Sequence, residues 1–188
     1  MVTISNYIFY YDGFSEFESV IAALLFREKL SSVALEKREY VCEERQTILP
    51  EKTIDELNAD DIELLIIPGG NPSPLFDNEK LREFITKLNE KQKYIAGICG
   101  GTYLMAEFGL LDGKKATGMS SGLDKNEDYF KSYKNCIVHN EGVVIDGNII
   151  TSPGQYFIEF GYELAKLMKV KEIEKLEDNY NWLKIKSS

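Results

Sequence analysis

An α/β layered sandwich around a largely parallel sheet is the fold class the sequence predicts, and three observations predict it. Apolar β-rich runs alternate with helical patterns along the whole chain, the order a parallel sheet requires because each crossover needs a helix. Residues 62–67 are almost unbroken in their apolar character, as in a strand covered on both faces. Residues 94–98 run straight into Gly97-Ile98-Cys99-Gly100-Gly101 and then into a helical pattern, a strand–turn–helix junction.

The elements follow in order. Residues 4–11 form a first strand, closed by Asp12-Gly13. Residues 15–30 carry a helical face of Phe17, Val20, Ile21, Leu24 and Leu25, broken by Ser31-Ser32, and residues 32–41 give a weaker extended region. The strand at 62–67 ends in Pro68-Gly69-Gly70-Asn71-Pro72, a compact loop. Residues 78–91 are an amphipathic helix with Leu81, Phe84, Ile85 and Leu88 on one face. The strand at 94–98 and a helix at 100–110 flank the cysteine. Residues 143–145 and 149–151 are two strands around the Asp146-Gly147 turn. Helices at 155–168 and 172–182 close the chain. With no repeat, linker or low-complexity segment, residues 1–188 read as a single domain, of which 170–188 is a helical extension.

Composition narrows the partners. A net charge of −9 disfavours nucleic acid, because phosphate binding needs a positive surface. No apolar run approaches the roughly 18 residues of a membrane span, and the N-terminus has neither the basic region nor the small-residue cleavage site of a secretory signal. The cysteines, Cys42, Cys99 and Cys136, are odd in number and widely spaced. That argues against a disulfide framework or a zinc site and favours a reducing cytoplasm. No cofactor and no metal are expected.

The chemistry concentrates at Cys99. Gly97-Ile98-Cys99-Gly100-Gly101 fits the pattern G-x-nucleophile-x-G between a strand and a helix. Glycines on either side admit a strained turn that side chains would block. A sulfur at a helix N-terminus faces unpaired N–H groups, which favour thiolate. On that reasoning alone the thiol should titrate at about 5–6, well below its ordinary value.

The stretch from Ile98 to Thr117, I-C-G-G-T-Y-L-M-A-E-F-G-L-L-D-G-K-K-A-T, resembles the elbow region of the ThiJ/PfpI superfamily, which has the class I glutamine amidotransferase-like, flavodoxin-like fold. That family includes a Parkinson-associated deglycase, bacterial stress chaperone-glyoxalases and archaeal intracellular proteases. Three further segments match in order: Asp12-Gly13-Phe14-Ser15-Glu16-Phe17-Glu18, Leu64-Leu65-Ile66-Ile67-Pro68-Gly69-Gly70, and residues 144–152. The resemblance implies a three-layer α/β/α sandwich with a nucleophile elbow. It implies Cys99 as nucleophile, Glu18 as the carboxyl group that contacts it, and the backbone N–H groups of Gly70 and Gly100 as an oxyanion hole. It also implies a homodimer and a small-molecule or peptide substrate.

One position departs from the pattern. Catalytic relatives usually carry a histidine just after the strand that follows the elbow helix, and here Met119 stands in its place. A thioether neither takes a proton from a thiol nor gives one to a leaving group. The single histidine, His139, falls later in an extended segment and is expected to be exposed at a strand end. Cys42 and Cys136 are expected to be buried and inert. The resulting expectation is a cysteine amidase-like hydrolase or a glyoxalase or deglycase that works without the histidine. The competing expectation is a non-catalytic redox, stress-response or metabolite-sensing protein in which Cys99 is modified.

Overall fold

The computed structural model describes residues 5–170 and 173–184. In chain order, β1 (Asn6–Phe9) leads to α1 (Phe17–Phe26) and β2 (Leu30–Ala34). Three two-residue strands follow: β3 (Tyr40–Val41), β4 (Thr47–Ile48) and β5 (Lys52–Thr53). β6 (Leu64–Ile67), α2 (Glu79–Glu90), β7 (Tyr94–Ile98) and α3 (Gly100–Glu107) form the middle of the chain. The short β8 (Lys115–Ala116) and β9 (Ile137–Val138) precede the hairpin β10 (Val144–Asp146) and β11 (Ile149–Ser152). Helices α4 (Phe157–Leu167) and α5 (Ile173–Leu183) end it.

Seven strands share one sheet in the order β10-β11-β7-β6-β1-β2-β5, and every pairing in it is parallel except β10 with β11. The product is a three-layer α/β/α sandwich. Leu64 to Ile67 are all fully buried, which explains their unbroken apolar character. Burying each such side chain is worth about 1.5–3 kcal/mol. Asn78 caps α2 by accepting from the Leu81 N–H at 2.9 Å, and Leu81, Ile85 and Leu88 face inward as the pattern predicts.

The central register has a functional consequence. Ile67 pairs with Gly97, and Ser152 pairs with Ile98. The carboxyl ends of β6, β7 and β11 therefore lie side by side, the place where open parallel sheets bind ligands.

Two expectations change. Ser31 and Ser32 do not end a helix but sit within β2, after a 3₁₀ turn at Arg27–Lys29. Their hydroxyls serve the strand's edge: Ser31 donates to the Glu51 carboxylate, and Ser32 accepts from the Glu51 N–H at 2.9 Å. The buried face of α1 is also rotated. Ile21 and Leu25 face the core together with Glu18, Ala22 and Phe26, whereas Phe17, Val20 and Leu24 are between 43% and 47% exposed. α1 is apolar almost all round, so its periodicity cannot choose a face; packing against α4 does. A methyl group on Gly161 of α4 would approach the Ala22 backbone nitrogen to 2.8 Å, so the two helices meet at close range there. Finally, β3, β4 and β5 are too short to leave a periodic signal. Ile4 and Glu172, the first residues expected of the opening strand and the closing helix, lie outside the described residues.

Candidate active site

Cys99 occupies the turn between β7 and α3 with φ 52° and ψ −123°. A non-glycine residue there stores roughly 1–3 kcal/mol and persists only if its surroundings hold it. They do so at both ends. The Cys99 N–H donates to the Ser152 carbonyl at 2.9 Å. Its carbonyl accepts from the Thr102 N–H at 3.1 Å, the Thr102 hydroxyl at 2.6 Å and the Met119 N–H at 3.3 Å. Thr102 Oγ1 in turn lies 2.8 Å from the hydroxyl of Tyr133, which is fully buried.

The glycines permit close approach of two loops. A Cβ on Gly100 would overlap the carbonyl of Gly70, and one on Gly101 would overlap the carbonyl of Ile67. Gly70 itself has φ +101°, a conformation that favours glycine. The N–H of Gly100 is directed at the Cys99 sulfur, and the N–H of Gly70 meets no acceptor among the described residues.

Glu18 comes from the first turn of α1 and is 3% exposed. Its position beside the thiol follows from Gly154, where a methyl group would lie 2.5 Å from Glu18 Oε1 and 3.4 Å from Cys99 Sγ. Glu18 Oε2 is buried without a hydrogen-bond partner. Burial pushes the Glu18 carboxyl up to about 7; hydrogen bonds from Cys99 and the Gly69 N–H hold it down, and the charges of Glu43 and Glu44 add to the rise. Burial, and then the Glu18 charge, push the Cys99 thiol up to about 12, against the N–H of Gly100 and the Ser120 hydroxyl.

This overturns the expectation of a thiol at about 5–6. The helix N-terminus acts in the expected direction, but burial beside a carboxylate is larger. Two negative charges do not fit together here, so the site carries one, and a proton on Glu18 removes the second cause of the thiol's rise.

Met119 lies beside the thiol's turn, with φ 57° and a bridge to Cys99. Its carbonyl accepts from the Gly154 N–H at 2.8 Å, and its sulfur lies 3.8 Å from the Tyr133 hydroxyl. Met119 thus ties the elbow to the loop after β11. Ser120, which sequence reasoning missed, has its hydroxyl 3.9 Å from Cys99 Sγ. Its only signal was its place next to Met119.

His139 is exposed at the end of β9, where its N–H donates to the Ala116 carbonyl at 2.9 Å. It does not line the Cys99 cleft. Cys42 is buried and accepts from the Gln46 N–H at 3.2 Å; Cys136 is only half-buried, a correction to its expected burial. Among the described residues, no group of three or more His, Cys, Asp or Glu side chains is placed to hold a metal ion, and no helix is long and apolar enough to cross a membrane.

The cleft over Cys99 has a volume of about 370 Å³. Glu18, Glu43, Phe17, Phe157, Ser120 and Gly70 are among its lining residues. A smaller cleft of about 250 Å³ near Tyr10, Arg38 and Tyr40 contains no thiol.

Known proteins resemble the chain in sequence and in fold. An uncharacterised protein of Methanocaldococcus jannaschii is 35% identical over 144 residues, covering 75% of this chain and 69% of that protein. The Drosophila melanogaster protein dj-1beta is 28% identical over 177 residues, covering 87% and 90%. The deglycase PfpI of Pyrococcus furiosus is 33% identical over 120 residues, covering 62% and 69%. Among solved structures, a ThiJ/PfpI family protein from Bacillus anthracis superposes with a TM-score of 0.83 at 23% identity, over 98% of this chain and 92% of that one. Drosophila DJ-1beta gives 0.80 at 23% identity, over 95% and 97%. Residues 5–167 match the DJ-1/PfpI family, and the chain belongs to it.

Proposed function

We propose that this protein is a thiol-dependent enzyme acting on small carbonyl compounds, of the deglycase kind that the names of two relatives give or of an amidase kind. The observation that supports this most directly is the pairing of Cys99, in a strained elbow open to a cleft, with a buried carboxyl pushed up to about 7. A group titrating near the working pH is well matched to moving protons.

In the proposed reaction, Cys99 Sγ bonds to the carbonyl carbon and its proton passes to Glu18. The carbonyl π electrons move to oxygen, which the N–H groups of Gly70 and Gly100 receive. Such donors are typically worth about 2.7–4 kcal/mol when aimed at developing charge. With an amide, the adduct collapses by breaking its C–N bond, and the amine leaves with the proton from Glu18. Water then hydrolyses the Cys99 thioester, Glu18 taking a proton from the water and returning it to the departing sulfur. With methylglyoxal the adduct is a hemithioacetal, whose C1 proton Glu18 moves to C2 to give the thioester that water cleaves in the same way. One carboxyl serves as base and then acid, so the scheme needs no histidine at position 119.

A substrate screen with methylglyoxal and simple amides, comparing wild type with Cys99→Ala and Glu18→Gln, tests this. Turnover by the wild type, abolished in Cys99→Ala and reduced about 10²–10⁴-fold in Glu18→Gln, is the expected result. Rapid alkylation of Cys99 without turnover of any carbonyl substrate overturns it in favour of a protein whose thiol is modified but does not catalyse.

A further inference from the structure

The Cys99 cleft has one sign of charge. Its lining contains two carboxyl side chains, Glu18 and Glu43, and no lysine, arginine or histidine. The surroundings reinforce this. Glu44, from the turn between β3 and β4, accepts the N–H groups of Glu16 at 3.0 Å and Phe17 at 3.3 Å, at the start of α1. Burial disfavours its charge, but these N–H groups outweigh that and hold its carboxyl below the ordinary range. Glu44 is therefore an anion at neutral pH. Glu43 and Glu44 both act on Glu18 as like charges. Glu16 adds a third carboxyl next to Cys42, whose sulfur lies 4.0 Å away.

A second observation is independent of charge counting. Glu18 Oε2 is buried against Gly69 and makes no well-aligned hydrogen bond, although buried polar atoms are nearly always paired. The cleft thus has an under-satisfied carboxyl beside the thiol and a second carboxyl, Glu43, in its lining, and its wall is apolar where Phe17 and Phe157 meet edge to face at 5.4 Å. Each feature favours a ligand that brings a donor or a positive charge on a compact apolar body. None favours a carboxylate or phosphate.

We infer that the Cys99 cleft selects cationic electrophiles, specifically carbonyl compounds carrying an ammonium group, and that Glu43 is the residue that enforces the selection. The inference rests on the reading of Cys99 as an accessible nucleophile. Among the described residues the Glu43 side chain makes no hydrogen bond or ion pair, and its backbone N–H is held by the Phe14 carbonyl at 2.8 Å. Its charge can therefore be removed without dismantling the turn.

The test uses thiol reagents of similar reach and different charge: 2-aminoethyl, n-propyl and 2-sulfonatoethyl methanethiosulfonate. In each case Cys99 Sγ bonds to the reagent's sulfenyl sulfur as its S–S bond breaks, and methanesulfinate leaves with the electron pair. Site-resolved rates at Cys99 are read by mass spectrometry and divided by rates with free 2-mercaptoethanol, which removes intrinsic reagent bias. The expected order is cation, neutral, anion, with a cation-to-anion ratio above 10. Glu43→Gln should cut that ratio about fivefold, as expected for one partly screened charge near the reagent. A change in thiol pKa alters all three rates together and leaves the ratio unmoved, so the ratio isolates recognition. Equal normalised rates, or a ratio unaffected by Glu43→Gln, overturn the inference while leaving the nucleophile reading intact. Failure of all three reagents to modify Cys99 faster than Cys136 overturns the nucleophile reading itself, and this inference with it.

Discussion

Glu18→Gln should remove a pH dependence from the folding stability. The carboxyl is pushed up from its ordinary 4.5 to about 7 in the folded chain, chiefly by burial. A folded value above the unfolded one means that this group's stabilising contribution is fully present below pH 4.5, where both states are protonated. Stability is then lost progressively until the pH passes 7, because the unfolded chain releases its proton more readily. At 1.36 kcal/mol per unit, the full loss is about 3 kcal/mol, of which roughly 2–3 kcal/mol falls between pH 5 and pH 8. Glutamine has nearly the same shape and does not ionise, so the variant lacks this term. Urea unfolding of both proteins at pH 5 and pH 8, with Cys99→Ala as a common background to remove the thiol, measures it. The stability difference between the two should shift by about 2–3 kcal/mol in favour of Glu18→Gln at the higher pH, or roughly 5–10 °C in melting temperature for a chain of this size. A difference that stays constant from pH 5 to pH 8, or one that shifts the other way, refutes the claim that burial pushes the Glu18 carboxyl up to about 7.

Other consequences separate scaffold from chemistry. Gly101→Ala, whose methyl group would overlap the Ile67 carbonyl, should destabilise the fold by roughly 2–3 kcal/mol because backbone has to move; chemical denaturation will show it. Gly154→Ala places its methyl group against the Glu18 and Cys99 side chains instead, and should lower Cys99 alkylation and any turnover by tenfold or more with less than half that loss of stability. Tyr133→Phe removes a buried hydroxyl that pairs with Thr102 and should cost about 1–2 kcal/mol, measured by the same unfolding titration. Ser120→Ala should slow Cys99 alkylation severalfold without changing the melting temperature, since Ser120 is exposed and its hydroxyl faces only the sulfur.

Much of this site was legible in the chain because short-range chemistry specifies it. A thiol in a turn between strand and helix needs small neighbours, and the run Gly97 to Gly101 carries them. The apolar segment that became β6 could only be a strand covered on both faces, and the amphipathic pattern of α2 chose its own buried side. Those signals are local: periodicity, turn chemistry and capping are written over a few residues. The strand ends were less legible. β1 stops at Phe9 although Tyr10 and Tyr11 are also buried, because pairing ends where the chain leaves the sheet, not where apolar residues end.

Tertiary structure decided what no local pattern carries. The face of α1 was open in sequence, since a helix apolar on every side has no preferred stripe; contact with α4 turned Glu18 inward and left Phe17 at the cleft. The proton balance was hidden for the same reason. A helix N-terminus beside Cys99 is visible in the order of residues, but the burial that raises both Cys99 and Glu18 exists only once α1, the diglycine loop and the segment after β11 close over them. Ser120 and the adjacent pair Glu43 and Glu44 reach the site from two different loops, across separations no spacing rule connects. The sequence by itself determined the sheet, the strained turn and the thiol placed in it, because each is specified by neighbours along the chain. The charge and proton affinity of the site were decided only by the fold, because they depend on distance and dielectric, which are properties of packing.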